Sequence, residues 1–235
     1  MKVEIISYTL ADAKLAAAGG ADRLELITAP VEGGLTPSAG LVQAVRDATD
    51  LELRVMIRPH SRHFHYDEDD LTTMEQEIAA FRHLGIDGYV LGLLTRERTI
   101  DTQGLERLLH AAEGLPVTFH RAFDEADQLD TALLTISRYP QITHILTSGG
   151  QASVLEAADT IKSLQSLSKQ VKGPILLPGA GLNADSLEAF LSDTQVSEFH
   201  MGSGVRNYGQ ILEPIDPLLL KRVRAISDRF LEHNF

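Results

Sequence analysis

Short apolar runs alternate along this chain with longer segments whose apolar residues recur at three- and four-residue spacing. The short runs, at 3–6, 23–27, 53–57, 88–93, 117–120, 144–147, 174–177 and 198–201, read as buried strands. The spaced segments predict helices over 10–18, 38–48, 71–84, from 101 onward, over 129–138, up to 169, over 185–191 and over 217–231. Gly19-Gly20 and Gly85 stand where a left-handed helix cap is wanted, and Ser38 caps the start of another helix. Strands alternating with helices at this spacing imply βαβ units and a parallel sheet. Eight such units, with no linker between them, predict the α/β class and a TIM-type (β/α)8 barrel, one domain over 1–235. A doubly wound open sheet is the alternative, but no Gly-x-Gly-x-x-Gly turn follows the first strand.

Polar residues interrupt these runs at repeated places. Glu4, Glu25, Arg58, His120 and His200 each fall at or near the end of a strand. A charge in a buried strand is costly unless it is paired or solvated, so several at equivalent positions point to one shared polar cavity. Side chains alternate between the two faces of a strand. Glu4 then shares a face with Ile6, Glu25 with Ile27, Arg58 with Met56, His120 with Thr118 and His200 with Glu198. The intervening Val3, Ile5, Leu24, Leu26, Val55, Ile57, Val117, Phe119, Phe199 and Met201 suit packing beneath the outer helices. The polar set is therefore expected inside the barrel, where chemistry gathers at the carboxyl ends of the strands.

Composition narrows the classes of partner. A net charge of −12 argues against a nucleic-acid or anionic-membrane surface, both of which need clustered Lys and Arg. No apolar run is long enough to span a bilayer, and the first residues lack the parts of a signal peptide. With no cysteine, there is no disulfide framework, and the expected compartment is the cytoplasm. The apolar stripe of residues 218–231 is explained equally by core packing and by a homodimer contact.

Glu4 and Glu25, from adjacent strands, either hold a cation or raise one partner's pKa into the range useful for proton transfer. The structural alternative is an interior ion pair with Arg58 or Arg121. His120-Arg121 pairs a near-neutral titrating group with a fork for carboxylate or phosphate. Glycines after the last three strands, among them Gly179, Gly181 and Gly202, let backbone amides approach an anion, although glycine is also the common residue of tight turns. His60, His63 and His65 offer three imidazoles for zinc, copper or nickel. Their spacing matches no closed metal motif and Arg62 stands among them, which favours a solvated loop.

The segments 20–26 (GADRLEL), 32–38 (EGGLTPS), 56–59 (MIRP), 118–124 (TFHRAFD), 146–149 (LTSG), 179–181 (GAG) and 198–200 (EFH) together resemble the CutC family, up to about residue 204. The resemblance implies a cytoplasmic (β/α)8-type barrel named for copper homeostasis. Many relatives carry cysteines where this chain has Ile6 and Ile27, so the thiolates that select Cu(I) are absent. Met56 and Met201 offer only weak thioethers better suited to packing, and no metal ligand set is expected. The stretch after Arg-Pro also departs from the family's Arg-Gly-Gly-Asp-Phe, reading Ser-Arg-His-Phe-His. The expectation is a small-molecule site for an anionic ligand, with proton-transfer chemistry of the lyase, isomerase or hydrolase kind. Glu25 or Glu4 would act as base and His120 as acid or electrophile. Arg58, Arg121, Asp124, Ser148, His200, Gly179, Gly181 and Gly202 would hold the ligand. The competing expectation is a non-catalytic copper carrier.

Overall fold

The computed structural model describes residues 1–234. Eight strands run parallel: β1 (Lys2–Ser7), β2 (Arg23–Leu26), β3 (Glu52–Met56), β4 (Gly88–Leu91), β5 (Val117–Phe119), β6 (Ile142–Thr147), β7 (Ile175–Pro178) and β8 (Glu198–Met201). Each is followed by a helix: α1 (Leu10–Gly19), α2 (Ala39–Ala48), α3 (Glu68–Phe81), α4 (Thr102–Ala111), α5 (Leu129–Ile136), α6 (Ala158–Val171), α7 (Leu187–Thr194) and α8 (Pro217–Asn234). The strand order is 7-6-5-4-3-2-1-8, so β8 returns to β1 and the sheet curls into a barrel. β7 and β8, the two ends of that order, lie side by side at the seam. This is a single-domain TIM-type barrel.

Local chemistry explains the helix limits. Thr9 and Ser38 accept backbone N–H bonds at the starts of α1 and α2, and Gly20 closes α1 in the left-handed region. Helix α3 begins at Glu68, ahead of the apolar spacing that starts at Leu71, because Asp67 and Asp70 form a reciprocal capping box. Helix α7 starts at Leu187 and runs on to Thr194, beyond residue 191.

Strand parity is as the alternation predicts. Val3, Ile5, Leu24, Leu26, Val55, Ile57, Val117, Phe119, Phe199 and Met201 belong to the large core between sheet and helices. Inside the barrel a second, smaller apolar cluster joins Ile27, Met56 and Val90 to Ile6 and Tyr8. Register places Glu4 beside both Arg23 and His200, and Glu25 beside Arg54. The irregularity between Val117 and Thr118 leaves Thr143 unpaired in β6, so both Ile142 and His144 find partners on β5.

The amino-end half of the interior is ionic. Arg23, with no exposed surface, bonds Glu4 and Glu198, the latter at 2.9 Å, and lies 3.8 Å from Glu52. Glu198 also meets His144 at 3.1 Å, and Arg54 takes Glu52 through two nitrogens. Gly88 makes room for this layer, since a Cβ there would lie 2.8 Å from Arg54.

After β8 the chain is pinned back across the barrel end by Arg206, which is wholly buried. Its guanidinium meets both oxygens of Asp12 at 3.2 Å, the carbonyls of Ile6 and Glu213, and the Tyr8 ring at 4.4 Å. Removing one partner of such a pair leaves a buried charge uncompensated. Arg206→Ala is expected to lower stability by about 3–5 kcal/mol in urea unfolding, with Arg206→Lys losing less.

Candidate functional site

A cavity of about 650 Å³ opens at the carboxyl ends of the strands. Glu25, Arg58, His120 and His200 enter it from four different strand ends. Ile6, Ile27, Met56, Phe64 and Leu146 form apolar wall. The polar strand-end residues thus meet in one pocket, with one exception.

Glu4 does not line that pocket. It lies beneath it, with one oxygen on Arg23 and the other 2.6 Å from His200 Nδ1. Burial alone would raise its pKa, but the Arg23 charge and the His200 contact override this and hold the carboxyl far below its ordinary range. A carboxylate held this way is a poor proton acceptor, which corrects the expectation that Glu4 is an alternative base. The interior partner is Arg23, in place of the Arg58 or Arg121 of the structural alternative.

Glu25 is buried to 2 % exposure, and its Oε1 has no hydrogen-bond partner. Its Oε2 lies 3.8 Å from His200 Nε2. Burial, with the Glu4 charge adding, pushes its pKa up to about 7 against the opposing pull of His200 and Arg23. Burial works against charging His200, but the carboxylates of Glu25 and Glu4 outweigh it and raise the imidazole above its ordinary value.

His120 caps the 3-10 turn Arg121–Glu125: the Ala122 N–H donates to His120 Nδ1 at 3.1 Å. An accepting Nδ1 places the proton of the neutral ring on Nε2, and that buried atom has no partner. Burial, then the Arg58 charge, push the ring's pKa down to about 3, so it stays neutral. Gly92 leaves space for the ring, since a Cβ would lie 2.6 Å from Nδ1, and Phe64 packs 5.0 Å from it.

Arg58 is only partly free to bind a ligand. One terminal nitrogen donates to the carbonyls of Glu32 and Gly34 at 2.8 and 3.0 Å, clamping the segment after β2, while Nε has no partner. Arg121 stands at the rim, with Nε on Asp124 at 2.9 Å and a terminal nitrogen on Ser148 Oγ at 2.8 Å. Asp124 accepts from Thr147 Oγ1, the Ser148 and Gly150 amides and Arg121, stapling the turn after β5 to the one after β6. Ser148 sits behind that staple and does not line the cavity. Gly181, at φ +90°, and Gly202 line it; Gly179 does not. A Cβ on Gly179 would lie 3.1 Å from the His200 ring and 2.9 Å from Leu146, so close packing accounts for that glycine.

The residues that the sequence reading passed over are Arg23 and Phe64. Arg23 has the same strand parity as Glu25 and was open to the same count; Phe64 comes from an irregular loop that carries no periodic signal. In that loop the His63 and His65 rings stack at 3.5 Å and His60 bonds Asp70 at 3.1 Å. The three imidazoles do not converge on one point; among the described residues the only grouping with metal-ligand proximity is Glu4, Glu25 and His200.

These features define a (β/α)8 barrel with a cavity of mixed polar and apolar lining at the carboxyl ends of its strands, where active sites gather in this fold. The family model described as CutC family matches residues 1–205, and the chain belongs to the CutC family. A CutC family protein from Salmonella schwarzengrund is 38 % identical over 203 residues, covering 86 % of this chain and 80 % of that protein. The crystal structure of CutC from Streptococcus agalactiae, named for copper homeostasis, superposes with a TM-score of 0.80 at 28 % identity, covering 86 % of this chain and 98 % of that one. Phosphoribosyl anthranilate isomerase from Thermotoga maritima shares the barrel at a TM-score of 0.64 and 13 % identity, covering 97 % and 99 %. No helix among the described residues is long and apolar enough to cross a membrane.

The thiolates that would select Cu(I), the copper of the family name, are absent from this chain. The chain has no cysteine, Met201 packs in the core under the helices, and Met56 is part of the interior apolar cluster. The trio of Glu4, Glu25 and His200 offers hard oxygens and one imidazole, and Glu4 is already neutralised by Arg23.

The neutral state of His120 has a consequence for stability. Its folded pKa, about 3, lies below the unfolded value of 6.5, so the stability present above pH 6.5 is lost as pH falls toward 3. The unfolded chain takes up a proton there that the native one refuses. In urea unfolding, His120→Gln is expected to shrink the stability difference between about pH 7 and about pH 4.5 by about 2 kcal/mol.

Proposed function

We propose that this protein is a cytoplasmic enzyme that moves a proton on a small anionic metabolite carrying a carbonyl group. The observation that carries this reading is a pair of buried, unpartnered atoms on residues that line one cavity: Glu25 Oε1, an acceptor, and His120 Nε2, a donor. A carboxylate with a raised pKa takes a proton from carbon at neutral pH more readily than an ordinary one. A neutral imidazole N–H, already desolvated, stabilises the negative charge that then develops on the carbonyl oxygen. Returning the proton to the neighbouring atom gives an isomerase; expelling a leaving group gives a lyase. Arg58, Arg121 at the rim and the backbone at Gly181 and Gly202 are the groups that would meet an anionic end. The absence of cysteine agrees with a reducing compartment.

The competing reading, a copper carrier, rests on the family name and lacks soft donors here. An anaerobic Cu(I) titration against a competing chelator is expected to show no stoichiometric complex, and one Cu(I) held tightly per chain would overturn that statement.

The reaction is tested without knowing its product. Keto acids, sugar phosphates and other carbonyl anions that raise the melting temperature are incubated with the protein in D2O, and loss of the α-carbon proton signal is followed by NMR. Exchange is expected to rise with pH through about 7 as Glu25 ionises, and to fall by about 10²–10⁴-fold in Glu25→Gln. Equal exchange in the variant would refute the assignment.

A further inference from the structure

Three ionisable side chains stand in line from the barrel interior to the cavity. Glu4 Oε1 lies 2.6 Å from His200 Nδ1, and His200 Nε2 lies 3.8 Å from Glu25 Oε2. The other oxygen of Glu4 is held by Arg23, whose remaining contacts are Glu198, Glu52 and His144. All three are buried, yet only Glu25 and His200 reach the cavity. The proton-transfer reading uses Glu25 and leaves Glu4, Arg23 and His200 without a part.

The hydrogen bond at Nδ1 decides what His200 can do. Arg23 is a permanent cation, so Glu4 is an acceptor only, and the proton between Glu4 and His200 resides on Nδ1. A neutral His200 then turns a bare Nε2 toward Glu25. A carboxylate that orients an imidazole in this way, itself anchored by a second group, also raises the basicity of the far nitrogen. Gly179 on β7 allows the ring its place, as a side chain there would press on it.

We propose that Glu4, paired with Arg23, is a positioning residue that keeps a proton on His200 Nδ1 and so presents Nε2 to Glu25 as an acceptor, making His200 the store for the proton that Glu25 removes from substrate. This rests on the proton-transfer reading above. The cycle starts from the form that exists above the pKa values of both groups, with Glu25 a carboxylate and His200 neutral. Glu25 takes the proton from substrate carbon, and the C–H electron pair moves into the enolate held by His120. The new carboxylic acid passes its proton to His200 Nε2, giving an imidazolium between two carboxylates, Glu4 and Glu25. Reprotonation of the substrate reverses these steps, with no net gain or loss of protons. The 3.8 Å separation is long for a hydrogen bond, and such contacts tighten when ligand binds.

The test is spectroscopic and uses the full chain without ligand. Long-range 1H–15N correlation of histidine-labelled protein at about pH 9, with the His200 signals assigned against His200→Gln, is expected to show His200 as the Nδ1–H tautomer, the less common one in solution. In Glu4→Gln, which keeps the shape and removes the charge, the His200 titration midpoint is expected to fall by about one pH unit or more, and Glu4→Asp restores part of it. An Nε2–H tautomer in the unmodified protein overturns the proposal, as does an unchanged midpoint in folded Glu4→Gln. Should Glu4→Gln fail to fold, the tautomer of the unmodified protein decides alone. Because no substrate enters the measurement, a wrong tautomer counts against the relay, whereas absent deuterium exchange counts against the reaction.

Discussion

The arrangement of the whole site depends on one buried cation. Arg23 lies at the centre of the barrel with no access to solvent, where an isolated charge would cost many kcal/mol. It is tolerable there because β1 and β8 bring Glu4 and Glu198 against it, and because Glu52 contributes from β3. Those carboxylates are in turn tolerable only because Arg23, Arg54 and His144 face them. The layer is self-consistent as a unit, and it fills the amino-end half of the interior with groups that cannot shift independently. What remains for a ligand is the carboxyl-end half.

That division separates two glutamates that are near neighbours on adjacent strands. Glu4, on the ionic side, has its charge matched by Arg23 and keeps it. Glu25, on the cavity side, has the same burial without a matching guanidinium, and its carboxyl is driven up to about 7. Two carboxyls of like chemistry thereby acquire opposite properties from position alone, one fixed as an anion and one ready to exchange a proton near neutrality. His200 lies between them and touches both environments.

Much of this was legible in the sequence. The alternation of strand and helix gave the barrel, and a period of two put Glu25, His120 and His200 on its inner face. Strand parity works well in a parallel barrel because both faces are buried, and a one-residue slip would turn every charge into the hydrophobic layer. The same count applies to Arg23, but an arginine at the first residue of a short strand reads as an edge residue near solvent. Only the stagger of neighbouring strands reveals that it lies deep inside. Side-chain economy was less accessible still. Arg58 and Asp124 have the chemistry of ligand-binding groups, yet one Arg58 nitrogen and both Asp124 oxygens are engaged by backbone atoms of loops elsewhere in the sequence. Partners of that kind follow from tertiary geometry and leave no trace in local spacing.

The apolar wall of the pocket bears on its chemistry as much as the charged groups do. Ile6 and Ile27 face the cavity beside Met56, in the same interior cluster as Val90. A thiol at either place would offer a polarisable, ionisable neighbour to Glu25; a branched hydrocarbon offers neither solvation nor charge. Burial is the largest cause of the raised Glu25 pKa, and the aliphatic side chains that line the same pocket are part of those dry surroundings. In this chain, therefore, the pocket wall supplies no thiolate and surrounds Glu25 with apolar surface at the same time. The proton-transfer reading proposed above rests on Glu25 and His120 and calls for no thiolate.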